Sequence, residues 1–154
     1  MTDSSGHHTA YLGIGGNIGD TKRTIDTCVA LLGEQVGRIT HRSQWYESEP
    51  WGFASEHRFT NIVVALDTTL NTIQLLDATQ DIERRLGRTE KSQGAVYHDR
   101  TIDIDLLLYD NLKIDSLRLT LPHPLMLQRR FVTVPLVEVL KLQQKTLNEI
   151  WPTC

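Results

Sequence analysis

Two aspartates separated by one residue are the sharpest chemical feature of this sequence: Asp103 and Asp105, within RTIDIDLLLYD. On a β-strand, alternate side chains share a face, so both carboxylates would point the same way, about 7 Å apart. Such a pair suits Mg²⁺, which takes one or two carboxylates and leaves its other positions to water and phosphate oxygens. The alternative is a solvent-facing strand whose charge is neutralised by Arg100 or a distant lysine.

Basic residues gather just upstream of the aspartates. Arg88, Lys91 and Arg100 fall in or beside a polar loop that contains a glycine. A loop that delivers guanidinium groups to a carboxylate–metal site meets the need of phosphoryl transfer, which is to neutralise the phosphate oxygens. Arg84 and Arg85 are predicted instead to form a solvated helix face. The P-loop pattern GxxxxGK[ST] is absent, so a nucleotide would be held without it.

Other residues could bind a flat ring. Phe59 and Phe131 offer aromatic surfaces, and Asn61 interrupts an otherwise apolar strand. A buried amide needs partners, which the donor–acceptor edge of a heterocycle or a neighbouring backbone group could supply equally well. His123, between two prolines, is as a lone histidine more often structural than catalytic. The glycines of GIGGNIGD are explained by a tight strand-to-helix turn.

The order of secondary-structure signals predicts the fold that must position these residues. We expect strands from Ala10, over 38–46, 59–66 and RTIDIDLLLYD, with a short extended piece at 117–121. We expect helices over 21–34 with Asp20 as cap, from Asn71 or Thr72 to Gly87, and from Met126. Glycines 33 and 37 are expected to end the first helix. The order β-α-β-β-α-β indicates an α+β, ferredoxin-like α/β sandwich with an antiparallel sheet and helices.

Length and composition set outer limits on function. The 154 residues suit one domain, expected over 10–154 after a disordered tail at 1–9. A net charge of −3 weighs against nucleic-acid binding. Cys28 and Cys154 are too few for a disulfide framework, and no apolar run approaches the roughly 20 residues of a membrane span. We therefore expect a cytoplasmic protein without membrane or nucleic-acid partners.

Taken in order, several motifs make the chain resemble the 6-hydroxymethyl-7,8-dihydropterin pyrophosphokinase family of folate biosynthesis. They are GIGGNIGD, ESEPWG, FTN, QDIERRLGR, RTIDIDLLLYD, LPHP and RRFVTVPL. The resemblance runs from about Ala10 to Leu140. It implies a ferredoxin-like fold with mobile catalytic loops. It also implies transfer of the diphosphoryl group of ATP to the pterin's hydroxymethyl oxygen, with release of AMP.

The resemblance also implies roles for individual residues. Asp103 and Asp105 would bind two Mg²⁺ ions that bridge the ATP phosphates, and with Arg88 and Arg100 they would form the catalytic set. The residues expected to contact ATP are Gln80, Glu83, Arg88, Arg100, Arg118, His123 and Arg129. The residues expected to contact the pterin are Ser48, Glu49, Trp51, Phe59, Asn61, Asp103 and Phe131. ATP and 6-hydroxymethyl-7,8-dihydropterin are the expected partners, and a monomer suffices for this site.

Two other classes of function share these features. A different two-metal enzyme, such as a nuclease, could use the paired aspartates, although the negative net charge weighs against it. A non-catalytic ferredoxin-like module could bind a ligand or a partner. That module predicts neither Mg²⁺-dependent ATP affinity nor coupling between ATP and pterin.

Overall fold

The elements follow the predicted alternation of strands and helices. The computed structural model describes residues 6–48, 58–87 and 102–146. The larger sheet contains β1 (His8–Gly16), β2 (Gly37–Arg42), β3 (Tyr46–Ser48), β4 (Phe59–Thr68) and β5 (Asp103–Tyr109). A hairpin of β6 (Ile114–Asp115) and β7 (Thr120–Leu121) follows. The helices are α1 (Thr21–Gln35), α2 (Thr72–Arg85) and α3 (Arg130–Leu142), with a 3₁₀ turn at Met126–Gln128.

The sheet topology confirms the predicted fold class. Strand order is β2-β4-β1-β5, with β3 also paired to β4, and every pairing is antiparallel. The β-α-β-β-α-β order over β1, α1, β2, β4, α2 and β5 produces this arrangement, since each helix returns the chain to the sheet. The segments expected to form mobile loops, within 49–57 and 88–101, lie outside the described residues.

Apolar side chains cover both faces of the sheet. Along β1, Leu12 and Ile14 point into one core, which includes Ile25 of α1 and Ile82 of α2. Tyr11 points into a second core with residues of α3 such as Leu136. The sheet is therefore buried between α1 and α2 on one side and α3 on the other.

Side-chain caps set where the first two helices begin, as predicted. The Arg23 backbone N–H donates to Asp20 at 3.3 Å, which satisfies one of the free N–H groups of the first turn of α1. Asn71 and Gln74 form a reciprocal capping box at the start of α2. Gly87, at φ 104°, follows the end of α2 in a conformation that favours glycine.

Cys28 lies in the core, as its position in the helical pattern predicts. It is fully buried in α1. Burial first, and the charge of Glu83 second, raise the pKa of its thiol to about 12. Cys28 therefore remains a protonated apolar residue, whereas Cys154 lies outside the described residues.

The first strand is longer than predicted at both ends. It begins at His8, inside the stretch expected to be a tail, because Asp110 accepts the Thr9 backbone N–H at 2.8 Å and pairs with the His8 imidazole at 2.7 Å. It then continues to Gly16, so three of the glycines expected in a turn lie within the strand. Gly33 lies inside α1 and does not end it.

Two further segments differ from the prediction. The single strand expected over 38–46 divides into β2 and β3, because the Ser43 hydroxyl accepts the Val63 N–H at 2.9 Å in place of a backbone carbonyl. The helix expected from Met126 is interrupted, since Arg129 is extended between the 3₁₀ turn and α3. Within the described ranges, no helix is long and apolar enough to cross a membrane.

Candidate active site

Three strands bring an amide and two carboxylates onto one face of the sheet. Gly15, in the central strand β1, is paired with Asn61 of β4 on one side and with Asp103 of β5 on the other. Residues directly opposite across antiparallel strands share a face, so Asn61 and Asp103 flank Gly15 on the same surface. Asp105, opposite Gly13, lies two residues further along that face. We call Asn61, Gly15 and Asp103 the cross-strand row.

Asn61 has unused hydrogen-bonding capacity. The residue is 9% exposed, and within the described part of the chain its Nδ2 has no hydrogen-bond partner. A buried donor without a partner is costly, so such an atom points to a polar group that arrives with a ligand. Phe59, two residues earlier in β4, is half-buried on the same face and paired with Ser48 of β3. Three of the predicted pterin residues, Ser48, Phe59 and Asn61, therefore lie close to one another on paired strands.

His123 lies in the turn that follows β7, after the cis Leu121–Pro122 bond. Its backbone N–H donates to the Leu107 carbonyl at 3.0 Å, which attaches the turn to β5. Its Nδ1 accepts the Leu125 backbone N–H at 3.2 Å, so the neutral ring carries its proton on Nε2. Burial and the Arg129 charge lower the pKa of His123, and Asp103 partly opposes them. His123 therefore lies close enough to Arg129 and Asp103, two other predicted site residues, for their charges to affect it.

Arg129 and Phe131 lie at the N-terminal end of α3. The Arg129 guanidinium carbon is 5.5 Å from the centre of the Phe131 ring, within cation–π range. Phe131 also packs against the core beneath α3. One end of α3 therefore presents a flat ring and a cation beside each other, on the sheet face that carries the cross-strand row.

Three predicted ATP contacts lie on or next to α2. Glu83 is 6% exposed, and its Oε2 accepts the Ile104 backbone N–H at 2.7 Å. Gln80 is exposed on the same helix. Arg118 pairs with Asp77, another α2 residue, at 2.6 Å. None of these contacts involves a nucleotide, so the three roles stay predictions.

The donor set fits a magnesium ion that is shared with phosphates. In residues 6–48, 58–87 and 102–146, no three His, Cys, Asp or Glu side chains form a metal-binding group. Asp103 and Asp105 supply two carboxylates on one strand face. Mg²⁺ commonly binds one or two protein carboxylates, and phosphate oxygens and water complete its coordination. The predicted site residues Glu49, Trp51, Arg88 and Arg100 lie outside the described residues.

Two contacts that position the site residues were not indicated by sequence patterns alone. One is the Glu83–Ile104 hydrogen bond, which joins α2 to the strand that carries both aspartates. The other is the place of Gly15 between Asn61 and Asp103. A glycine inside a strand often marks a close backbone approach, so Gly15 carried a usable signal, although its partner could not be known without the register.

Sequence comparisons relate this chain to one group of enzymes. The family model described as 7,8-dihydro-6-hydroxymethylpterin-pyrophosphokinase matches residues 11–141. A Porphyromonas gingivalis 2-amino-4-hydroxy-6-hydroxymethyldihydropteridine pyrophosphokinase is 51% identical over 130 residues, which cover 84% of this chain and 88% of the relative. The Bacillus subtilis protein of the same name is 37% identical over 140 residues, covering 90% and 82%.

A solved structure has the same fold. The Plasmodium falciparum HPPK-DHPS crystallised with pteroate superimposes with a TM-score of 0.57 at 14% identity. The match covers 70% of this chain and 31% of that chain, so this protein spans about a third of the longer one. At that identity the likeness concerns the fold alone.

Proposed function

Because this chain belongs to the 7,8-dihydro-6-hydroxymethylpterin-pyrophosphokinase family, we propose that it transfers the diphosphoryl group of ATP to 6-hydroxymethyl-7,8-dihydropterin in folate biosynthesis. The cross-strand row is the observation that carries this proposal. It places a buried amide, whose Nδ2 has no partner among the described residues, on the same surface as the Asp103 carboxylate, with a single glycine between them. Asp105 lies two residues further along the same face. One end fits a heterocycle, and the other fits a metal-bound polyphosphate.

The reaction forms one bond and breaks one. The pterin hydroxymethyl oxygen attacks the β-phosphorus of ATP, and the bond from that phosphorus to the α,β-bridging oxygen breaks. The bridging oxygen leaves with AMP, and the hydroxyl proton is released as the new O–P bond forms. The products are the pterin diphosphate and AMP.

On the nucleotide side, Asp103 and Asp105 would hold Mg²⁺, as two ions in our proposal. Bound Mg²⁺ neutralises charge on the phosphate oxygens and aligns the reacting groups. His123, with its proton on Nε2, can donate to a phosphate oxygen, and the Arg129 guanidinium supplies positive charge close by. Arg88, Arg100, Gln80, Glu83 and Arg118 complete the proposed nucleotide contacts.

On the pterin side, Asn61 would read the pyrimidine edge, since its amide offers both a donor and an acceptor. Phe59 and Phe131 would stack on the ring from β4 and from the start of α3. Ser48, Glu49, Trp51 and Asp103 would complete this pocket. We also propose that the enzyme is cytoplasmic and that it acts as a monomer. Size-exclusion chromatography with light scattering can test the monomeric state.

The proposal is tested by identifying both products. ³¹P NMR of a reaction with ATP, Mg²⁺ and the pterin should show AMP together with a diphosphate ester on the pterin. Formation of ADP and a pterin monophosphate would mean attack at the γ-phosphorus and would contradict the proposal. Folded protein that turns over no nucleotide would also contradict it and would leave a binding module.

A further inference from the structure

We propose that Gly15 is a specificity-determining residue for the pterin, because its missing side chain is what allows the Asn61 amide to lie in the cross-strand row. This inference rests on the proposed role of Asn61. It assigns to Gly15 a function in substrate recognition, although Gly15 itself offers no side-chain atom to a ligand.

The geometry around Gly15 is specific. A Cβ atom built on Gly15 would overlap Asn61 Oδ1, would lie 2.8 Å from Asn61 Cγ and would approach the Thr60 carbonyl oxygen to 3.2 Å. The Asn61 side chain therefore lies across the position where any other residue would carry its first side-chain atom. Asn61 and an alanine at position 15 could not both keep their present places.

The backbone itself does not require glycine at position 15. The positive-φ glycines among the described residues are Gly6, Gly19 and Gly87, and Gly15 is not one of them. An L-amino acid can adopt the Gly15 conformation without strain, so the requirement is for space above the strand. What the glycine supplies is room for the amide.

The consequence is chemical, because the amide position decides what the site can recognise. Asn61 is buried, and its Nδ2 has no hydrogen-bond partner in the described ranges. In its present position, the amide therefore has a donor left for a ligand. A methyl group on Gly15 would push the amide away from the surface shared with Asp103. The edge of the pterin ring would lose its hydrogen-bond partner, whereas Asp103 and Asp105 would keep their positions on β5.

Gly13 provides a matched control on the same strand and face. A Cβ on Gly13 would meet the Leu107 side chain at 3.6 to 3.8 Å, which is ordinary van der Waals contact. Gly13 is opposite Val63 and Asp105, as Gly15 is opposite Asn61 and Asp103. Gly13→Ala therefore makes the same chemical change without displacing the amide.

The experiment compares the affinity of four variants for 6-hydroxymethyl-7,8-dihydropterin, with Mg²⁺ and a non-hydrolysable ATP analogue present. We expect Gly15→Ala to raise the pterin Kd at least about tenfold, as loss of a hydrogen bond to a buried group does. Gly13→Ala should stay within about twofold of the parent protein. In an Asn61→Ala background, adding Gly15→Ala should change nothing further, because the displaced group is gone. The Kd of the ATP analogue alone should be unchanged by Gly15→Ala.

A second readout separates this inference from the proposed function. The ¹⁵N side-chain amide signal of Asn61 in the free protein should shift in Gly15→Ala and stay in place in Gly13→Ala. If Asn61→Ala binds the pterin normally, the recognition role of Asn61 is overturned, and that of Gly15 with it. A shifted amide signal in Gly15→Ala would in that case still establish that Gly15 makes room for the amide. An unshifted signal or an unchanged pterin Kd in Gly15→Ala would overturn the inference itself. If Gly15→Ala does not fold, the Gly15→Ala/Asn61→Ala double variant decides, since restored folding supports the clash and continued unfolding contradicts it.

Discussion

At the scale of single residues, we propose that the site divides its two tasks between the two strands that flank β1. Asn61 on β4 faces the proposed pterin, and Asp103 and Asp105 on β5 face the proposed nucleotide. Variants on the two strands should therefore fail in different ways: one should lose affinity for the pterin, and the other should lose the reaction.

Asp105→Asn tests the nucleotide side. Removing one carboxylate from the proposed metal site should lower the rate of AMP formation at least about 100-fold, because metal stabilisation of the transition state contributes several kcal/mol. Glu34→Gln is the control, since it removes a carboxylate from the exposed side of α1, across the sheet. A steady-state assay of both variants measures the effect, and near-normal turnover by Asp105→Asn would rule out the metal assignment.

His123 predicts a dependence of stability on pH. An unfolded histidine has a pKa of about 6.5, and burial with Arg129 lowers the pKa of His123 in the folded protein. Between these two pKa values the unfolded chain binds more protons, so the free energy of unfolding should fall as the pH drops below about 6.5 and level off above it. Urea unfolding of the parent protein and of His123→Gln at several pH values checks this. An identical acid-side slope in the two proteins would show that His123 is not responsible.

Strand alternation was enough to predict that the two aspartates share a face and that an amide interrupts an apolar strand. It put Asp103 and Asp105 on one face, and it marked Asn61 as an amide in an apolar strand. It could not reveal why position 15 must be small, because that depends on the pairing of β1 with β4, whose register no local pattern determines.

At the scale of elements, a buried carboxylate joins helix α2 to the strand of the two aspartates. Glu83 accepts the N–H of Ile104, the residue between Asp103 and Asp105. That N–H lies within the strand whose side chains form the proposed metal site. The position of α2 is thereby coupled to the position of both carboxylates.

Glu83→Ala should lower the free energy of unfolding by about 1–3 kcal/mol, since it leaves a buried backbone donor without its acceptor. Glu83→Gln keeps an acceptor oxygen and should recover most of that loss. Gln80→Ala, an exposed change on the same helix, should stay within about 0.5 kcal/mol. Urea denaturation measures all three, and a Glu83→Ala protein as stable as the parent would refute the anchoring role.

Local signals predicted where the first two helices begin. Asp20 and Asn71 cap their helices through hydrogen bonds to residues three positions away, so the relevant contacts are visible in sequence. The break between β2 and β3 depends on Ser43 bonding to Val63 of another strand. That contact is non-local, and the alternating pattern over 38–46 conceals it.

At the scale of the whole molecule, binding of ATP should stabilise the fold in a metal-dependent manner. A ligand that binds only the folded chain contributes about 2.7 kcal/mol at 100 times its Kd, which corresponds to a rise in Tm of about 5–10 °C for a domain of this size. We expect that rise with ATP and Mg²⁺ together, and little of it in Asp105→Asn or with a chelator. A full rise without any divalent cation would show that the carboxylate pair does not act through a metal.

The most direct test of the account is AMP release from ATP and Mg²⁺, measured with and without 6-hydroxymethyl-7,8-dihydropterin. The account predicts that AMP forms only when the pterin is present, with one AMP for each pterin diphosphate, because the hydroxymethyl oxygen is the attacking group. AMP formed at the same rate without the pterin, or folded protein that turns over no nucleotide at all, would contradict it.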